Sequence, residues 1–331
     1  AVAMGYIACA IDVNSIAIGT KTFATGHNST AIGTEAKACG VNSIAIGPAS
    51  VANGVNASAI GLNALANGAN SQAFGRDAVA NGVDSFAGGV NAVACGVNAF
   101  AFGRDAHANG SDSFAFGDGA RATTNALNSS TFGTDANVNA PCSMALGMGS
   151  RVLTGSNSTA AGTNSTANQH NAVAVGTLSN ANANNAAAFG ACSVSTGVNA
   201  FAFGSQSESS AVNSTAFGAS SFANAVNSYA MGSNSTATAV NSYAYGSNSI
   251  AEGTNSTSFG AFAKSNQANA FAFGSQSEAN AVNSTAFGAS SFANAVNSYA
   301  MGSNADAVAT NAYAYGSNSL ANAVNASAFG S

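Results

Sequence analysis

The chain has 331 residues, of which only 6% are charged, against about 25% in ordinary soluble domains. A formal net charge of −5, with seven Lys and Arg in all, gives no basic footprint for nucleic acid and no polybasic membrane anchor. No apolar run approaches the ~18 residues of a membrane span, and the five Cys, at wide spacings, fit neither a disulfide framework nor a zinc site.

In chain order, the first element is Val2-Ala3-Met4-Gly5, and it returns as Ile16-Ala17-Ile18-Gly19 and as Thr30-Ala31-Ile32-Gly33. The closing glycine serves as an anchor, position 0. Anchors recur at a constant 14-residue step from Gly5 to Gly117, fall next at Gly133 and Gly147, and resume the same step from Gly162 to Gly330. Among the 24 anchors two steps are irregular: Gly117 to Gly133 is longer by two positions and Gly147 to Gly162 by one. Residues 200–234 nearly duplicate residues 270–304, so the array grew by copying blocks. It reads as a single continuous array over 1–331, with irregular coils at 118–162. Both ends fall inside the repeat and no signal peptide opens the chain, which suggests a piece of a longer fibre.

A 14-residue period with a strict glycine and a turn-prone Asn predicts one coil of an all-β solenoid per repeat, about 24 coils in all. One strand precedes the anchor and a second lies at positions +3 to +7, as in Thr22-Phe23-Ala24-Thr25-Gly26. Side chains alternate across a strand. Position −2 is Ala in 22 of 24 repeats and position −1 is large and apolar in 22 of 24. On the second strand, positions +3, +5 and +7 are small, while +4 and +6 are mixed and largely polar, as at Lys37, His107, Arg151 and Asn53. The small faces of both strands are therefore expected inside the coil, with the bulky residues of the first strand outside.

That places a stripe on the outer surface at Ile18 and Ile46, Phe102 and Phe116, Phe203 and Phe273, and Tyr245 and Tyr315. An exposed apolar stripe of this length marks an interface, so it is expected to meet the same stripe of other copies around a shared axis. A rival placement turns the large residues inward, exposes the Ser/Ala/Gly face and leaves a monomer.

Position −5 is Asn in 20 of 23 repeats, with Asp84, Asp112 and Cys142 as exceptions. Asn14, Asn28, Asn42, Asn213, Asn227 and Asn241 are expected to stack as an amide ladder at about 4.8 Å per coil. Arg76 and Arg104 follow their anchors in the two repeats that carry Asp84 and Asp112; in a flat coil an Arg–Asp contact there would have to cross to a neighbouring chain, and a copied 28-residue block is the favoured reading of the pairing. His27, His107 and His170 have no nucleophile or acid at a motif spacing, so neither an enzyme, a metal site nor a cofactor is indicated.

The segments "NSIAIG" at 14–19, "NSTAIG" at 28–33 and "NSIAIGPAS" at 42–50 resemble the head repeats of trimeric autotransporter adhesins, the YadA-like head. The resemblance implies a parallel left-handed β-roll, a homotrimer and display on a bacterial surface. It also implies that the matching segments contact collagen or another matrix or host-surface partner: Asn14, Ser15, Ile16, Ala17, Ile18 and Gly19, and Asn42, Ser43, Ile44, Ala45, Ile46, Gly47 and Ser50. Later repeats depart from the pattern, with Phe, Tyr or Met for Ile and Ala for the second Gly at Ala225, Ala239 and Ala295. The functional expectation is a non-enzymatic extracellular fibre, a rigid trimeric rod acting as an adhesin head. The alternatives are a structural fibre of a phage, virus or cell surface and, third, an ice-binding solenoid, for which positions +4 and +6 are too varied.

Overall fold

A computed structural model describes residues 1–330. The chain divides into two compact units, residues 1–168 and 169–331. No helix occurs among the described residues.

In the first unit, anchor strands run from Val2–Met4 to Thr159–Ala161 and second strands from Cys9–Ala10 to Thr166–Ala167. Each pairs in parallel with its counterpart in the next coil. Ile16, Ala17 and Ile18 face Thr30, Ala31 and Ile32, so like residues stack on like. The second unit repeats the arrangement, with anchor strands from Val173–Val175 to Ser327–Phe329 and second strands from Asn180–Ala181 to Leu320–Ala321. The strands are shorter than the sequence suggests, three residues before the anchor and two after it.

Two turns join the strands, and they are alike. In each, an amide donates to the carbonyl three positions back, as Ser15 to Asp12 at 3.2 Å and Ala8 to Gly5 at 3.3 Å. The third residue of each has positive φ: 58° at Asn14, in position −5, and 56° at Ile7, in position +2. The backbone thus repeats every half coil, although the sequence repeats every coil. Asn is favoured at −5 because its short polar side chain tolerates the left-handed region.

The interior is a seam of small side chains. Ala17, Ala31 and Ala45 at −2 and Ala24, Ala38 and Ala52 at +5 have no exposed surface, and neither do Ser15, Ser29 and Ser43. Small interior residues let the two strands of a coil approach closely. Two polar residues replace the usual Ala at −2: Ser258 lies 2.6 Å, hydroxyl to hydroxyl, from Ser265, whereas the buried hydroxyl of Thr131 has no partner. Beside the lengthened turns it widens instead, and Val138 and Val152 are its largest fully buried side chains.

The anchor glycine is required twice over. At Gly75 φ is +138°, and a Cβ there would lie 2.3 Å from the carbonyl oxygen of Gly89 in the next coil. Only a residue without Cβ adopts that φ freely and permits that stacking distance.

Candidate functional site

Three surface columns run along each unit, and each follows from the alternation of the strands. The first is the bulky column at −1 and −3. With Ala at −2 turned inward, its neighbours must face out. Ile18 and Ile46 are 37% exposed, Phe102 45%, Phe116 48%, Phe203 50% and Phe273 45%. Tyr245 and Tyr315 are half-buried, each flanked by rings. The rings stack from coil to coil: Phe203 on Phe217 at 4.9 Å, Phe259 on Phe273 at 4.7 Å and Tyr229 on Tyr243 at 5.2 Å. Burial among these rings, then Tyr243 and Tyr229, raises the Tyr245 phenol above its ordinary pKa. Gly88 interrupts the −1 column, and a Cβ there would lie 2.6 Å from the Phe86 ring, which leans into its place.

A further apolar line, at position −6, borders this column on the turn into the anchor strand. Val41, Val55, Val83, Val97, Val212 and Val240 are all exposed there. It was not anticipated from the sequence, although the recurring Val-Asn-Ser triplet carries its signal.

The second column is amide. Asn14 donates to Asn28, Asn28 to Asn42 and Asn42 to Asn56, each at 3.0 Å, and the line continues to Asp84. In the second unit it runs from Asn171 to Asn325, with Asn213 to Asn227 and Asn227 to Asn241 each at 3.1 Å. Each Asn spends its amide on its neighbour and its backbone on the turn, which makes the column scaffolding. A second ladder, not anticipated from the sequence, joins Asn53, Asn67 and Asn81 at +6.

The third column is the outward face of the second strand at +4. It is less polar than expected from the sequence: Phe23, Val51, Leu65, Val79 and Val93 share it with Lys37, His107, Arg121 and Arg151, because a half-buried strand face accepts β-formers of either polarity. Burial, then the charge of Arg121, holds His107 below its ordinary pKa.

Arg76 and Arg104 make no contact with Asp84 or Asp112, in keeping with the favoured reading of a copied block, and pair elsewhere. Arg76 lies 3.5 Å from Asp77, and Arg104 pairs with Asp118 one coil on and reaches Asp105 at 4.0 Å. All these groups sit on the turn after the anchor, so no crossing to another chain is involved. The five Cys are free, four of them exposed. Within segments 14–19 and 42–50 the outward residues are Asn14, Ile18, Asn42, Ile44 and Ile46, with Ile16 half-exposed, while Ser15, Ala17, Ser43, Ala45 and Ser50 are buried. No group of three or more His, Cys, Asp or Glu suited to a metal ion occurs among the described residues, and no helix is long and apolar enough to cross a membrane.

A parallel β-solenoid with a 14-residue coil, a seam of small residues inside and its bulky residues outside is the class these features define. The chain belongs to the YadA head domain family: the repeat described as "YadA head domain repeat (2 copies)" matches residues 1–22, 10–36, 24–50, 38–64, 66–92, 94–120, 154–179, 169–191, 195–221, 223–250, 251–277 and 279–305. Among solved structures, the collagen-binding domain of the Yersinia adhesin YadA is 25% identical, with a TM-score of 0.28, over 51% of this chain and 69% of that one. No curated protein matches the chain.

Proposed function

We propose that this chain is the head of a cell-surface adhesin, in which three copies pack through the bulky column and present their polar outer strands for repeated contact with a matrix or host surface. The observation that carries the reading is the exposure of Phe102, Phe116, Phe203 and Phe273 in a single copy whose interior has no room for them. Fully burying one such side chain is worth about 1.5–3 kcal/mol, and the column offers one or two per coil. Membership of the YadA head family supports both the assembly and the adhesive role. Many weak, identical contacts along a stiff array raise avidity without any deep pocket. Collagen is the first ligand to test; within 14–19 and 42–50, packing of the bulky column leaves Asn14, Asn42 and the turn residues Pro48 and Ala49 to meet it.

Sedimentation equilibrium of the purified chain is expected to give three times the mass of 31.8 kDa. Replacing Phe203 and Phe273 with Ser is expected to lower that mass at micromolar concentration. A stable monomer with full thermal stability overturns the assembly. Saturable collagen binding by the trimer supports the adhesive role, and its absence for collagen, fibronectin and intact host cells alike overturns it.

A further inference from the structure

Seven side chains in the protein are Lys or Arg. Four are engaged in ion pairs: Lys21 with Glu35, Arg76 with Asp77, Arg104 with Asp118 and Lys264 with Glu278. Of the remaining three, Arg121 and Arg151 share one cleft. Both are exposed, and among the described residues neither makes an ion pair or a side-chain hydrogen bond.

The fold brings them together across a lengthened turn. Arg121 pairs in register with Asn137, and Asn137 with Arg151, so all three stand in the +4 column on successive coils. Two steps of about 4.8 Å separate the two arginine backbones, a span their long side chains close with ease. Asn137 lies between them with its Oδ1 buried and unpaired, so what it can offer a ligand is its amide nitrogen. The cleft is open at Gly119, a +2 position with φ of 66° that lines it without a side chain, where every other coil except that of Gly149 carries one. Asp135 lines the same cleft and is its one carboxylate.

We propose that this cleft binds an oxyanion, a sulfate ester or a carboxylate, carried on an acidic polysaccharide. Two guanidinium forks and an amide N–H match the acceptors of such a group. The cleft is shallow and open, which suits one unit of a polymer better than a free ion. The chain carries a net charge of −5, so its overall field repels polyanions and capture has to be local. The cleft lies on the outward strand, and occupying it does not depend on how copies assemble.

The test is binding of the whole chain to immobilised dextran sulfate and to polygalacturonate, with uncharged dextran as reference. Saturable, salt-sensitive binding to one or both charged polymers is expected, and the pair tells sulfate from carboxylate. The Arg121→Gln, Arg151→Gln double variant is expected to bind at least about tenfold more weakly, and Arg76→Gln to bind unchanged. Gly119→Asp, at a φ that Asp77 and Asp135 adopt in other coils, adds a second carboxylate to the cleft lining while leaving both arginines in place, and is expected to abolish binding. No binding to either charged polymer, or equal binding by the double variant, overturns the proposal.

Discussion

The two units solve the same corner differently. At position +7, where the second turn of the coil begins, the first unit carries Gly from Gly26 to Gly110. The second unit carries Ala in most coils, among them Ala211, Ala225, Ala239, Ala281 and Ala295, and Gly only at Gly197 and Gly253. In the glycine coils the corner is tight: a Cβ on Gly40 would lie 2.0 Å from the carbonyl oxygen of Gly54. The Gly40 amide makes a long 3.3 Å contact to the Ala52 carbonyl and none to the serine hydroxyl at −4, which donates to the corner carbonyl in some coils, as Ser71 to Gly68 at 2.7 Å, and has no partner at Ser29 and Ser43. In the alanine coils the amide turns to the serine hydroxyl at position −4, as Ala225 to Ser228 at 3.2 Å and Ala281 to Ser284 at 3.2 Å. The inter-coil bond beside it stretches, from 2.9 Å for Cys39 to Ala52 to 3.2 Å for Thr238 to Ala251.

Gly253 provides an internal control. It sits in the second unit yet its amide keeps the pattern of the first, 3.3 Å from the Ser265 carbonyl and not turned to the Ser256 hydroxyl, which has no partner. The difference therefore follows the residue at +7 and not the unit it lies in. It also separates two reasons for glycine. At the anchor the left-handed φ admits nothing else, and all 24 anchors are Gly. At +7 only proximity opposes a side chain, and a small backbone shift relieves it.

The largest expected effect is therefore at an anchor. Gly75→Ala combines a φ of +138° with a backbone clash in the next coil, and is expected to cost on the order of 2–4 kcal/mol. Amide hydrogen exchange resolved by peptide reads this as lost protection in the coils on either side. An anchor variant that exchanges no faster than wild type breaks the distinction between the two glycines. A smaller loss is expected at +7, and it depends on the serine. Gly54→Ala has Ala57 at −4 and no hydroxyl to accept its amide, so about 1–2 kcal/mol is expected from overpacking alone. Gly40→Ala meets the unpaired Ser43 hydroxyl and is expected to cost about 1 kcal/mol less. Equal protection in the two variants removes the serine from the account.

Much of this architecture was legible because the constraints repeat. Ala at −2 and the bulky residue at −1 differ in size at nearly every coil, and a strand alternation turns that difference into inside and outside. The Asn at −5 was legible for the same reason. The half-coil symmetry was not, because the equivalent residue at +2 carries Ile7, Leu178 or Phe262 at positive φ and leaves no residue signature. The true partners of Arg76 and Arg104 were missed because adjacency across coils outweighs position along a strand. The cleft was missed although Arg121 and Arg151 each lie four past an anchor, at Gly117 and Gly147, because the +4 residues were read one at a time and not as neighbours along a column.

The smallest effect is also the most discriminating. Ser228 and Ser43 occupy the same position, are equally buried, and differ in having a partner. Ser228→Ala leaves the Ala225 amide without its acceptor in a corner that cannot close back onto the next carbonyl, so about 1 kcal/mol of local stability is expected to be lost. Ser43→Ala removes a buried hydroxyl that bonds to nothing, and replacing an unsatisfied polar group by a methyl of similar shape is expected to be neutral or mildly stabilising. Exchange protection at Ala225 and at Gly40, measured in the two variants side by side, gives opposite signs if the residue at +7 governs the corner. Equal losses at both sites mean that the serine is needed for its size alone, and the rewiring of the amide then contributes nothing to the stability of the second unit.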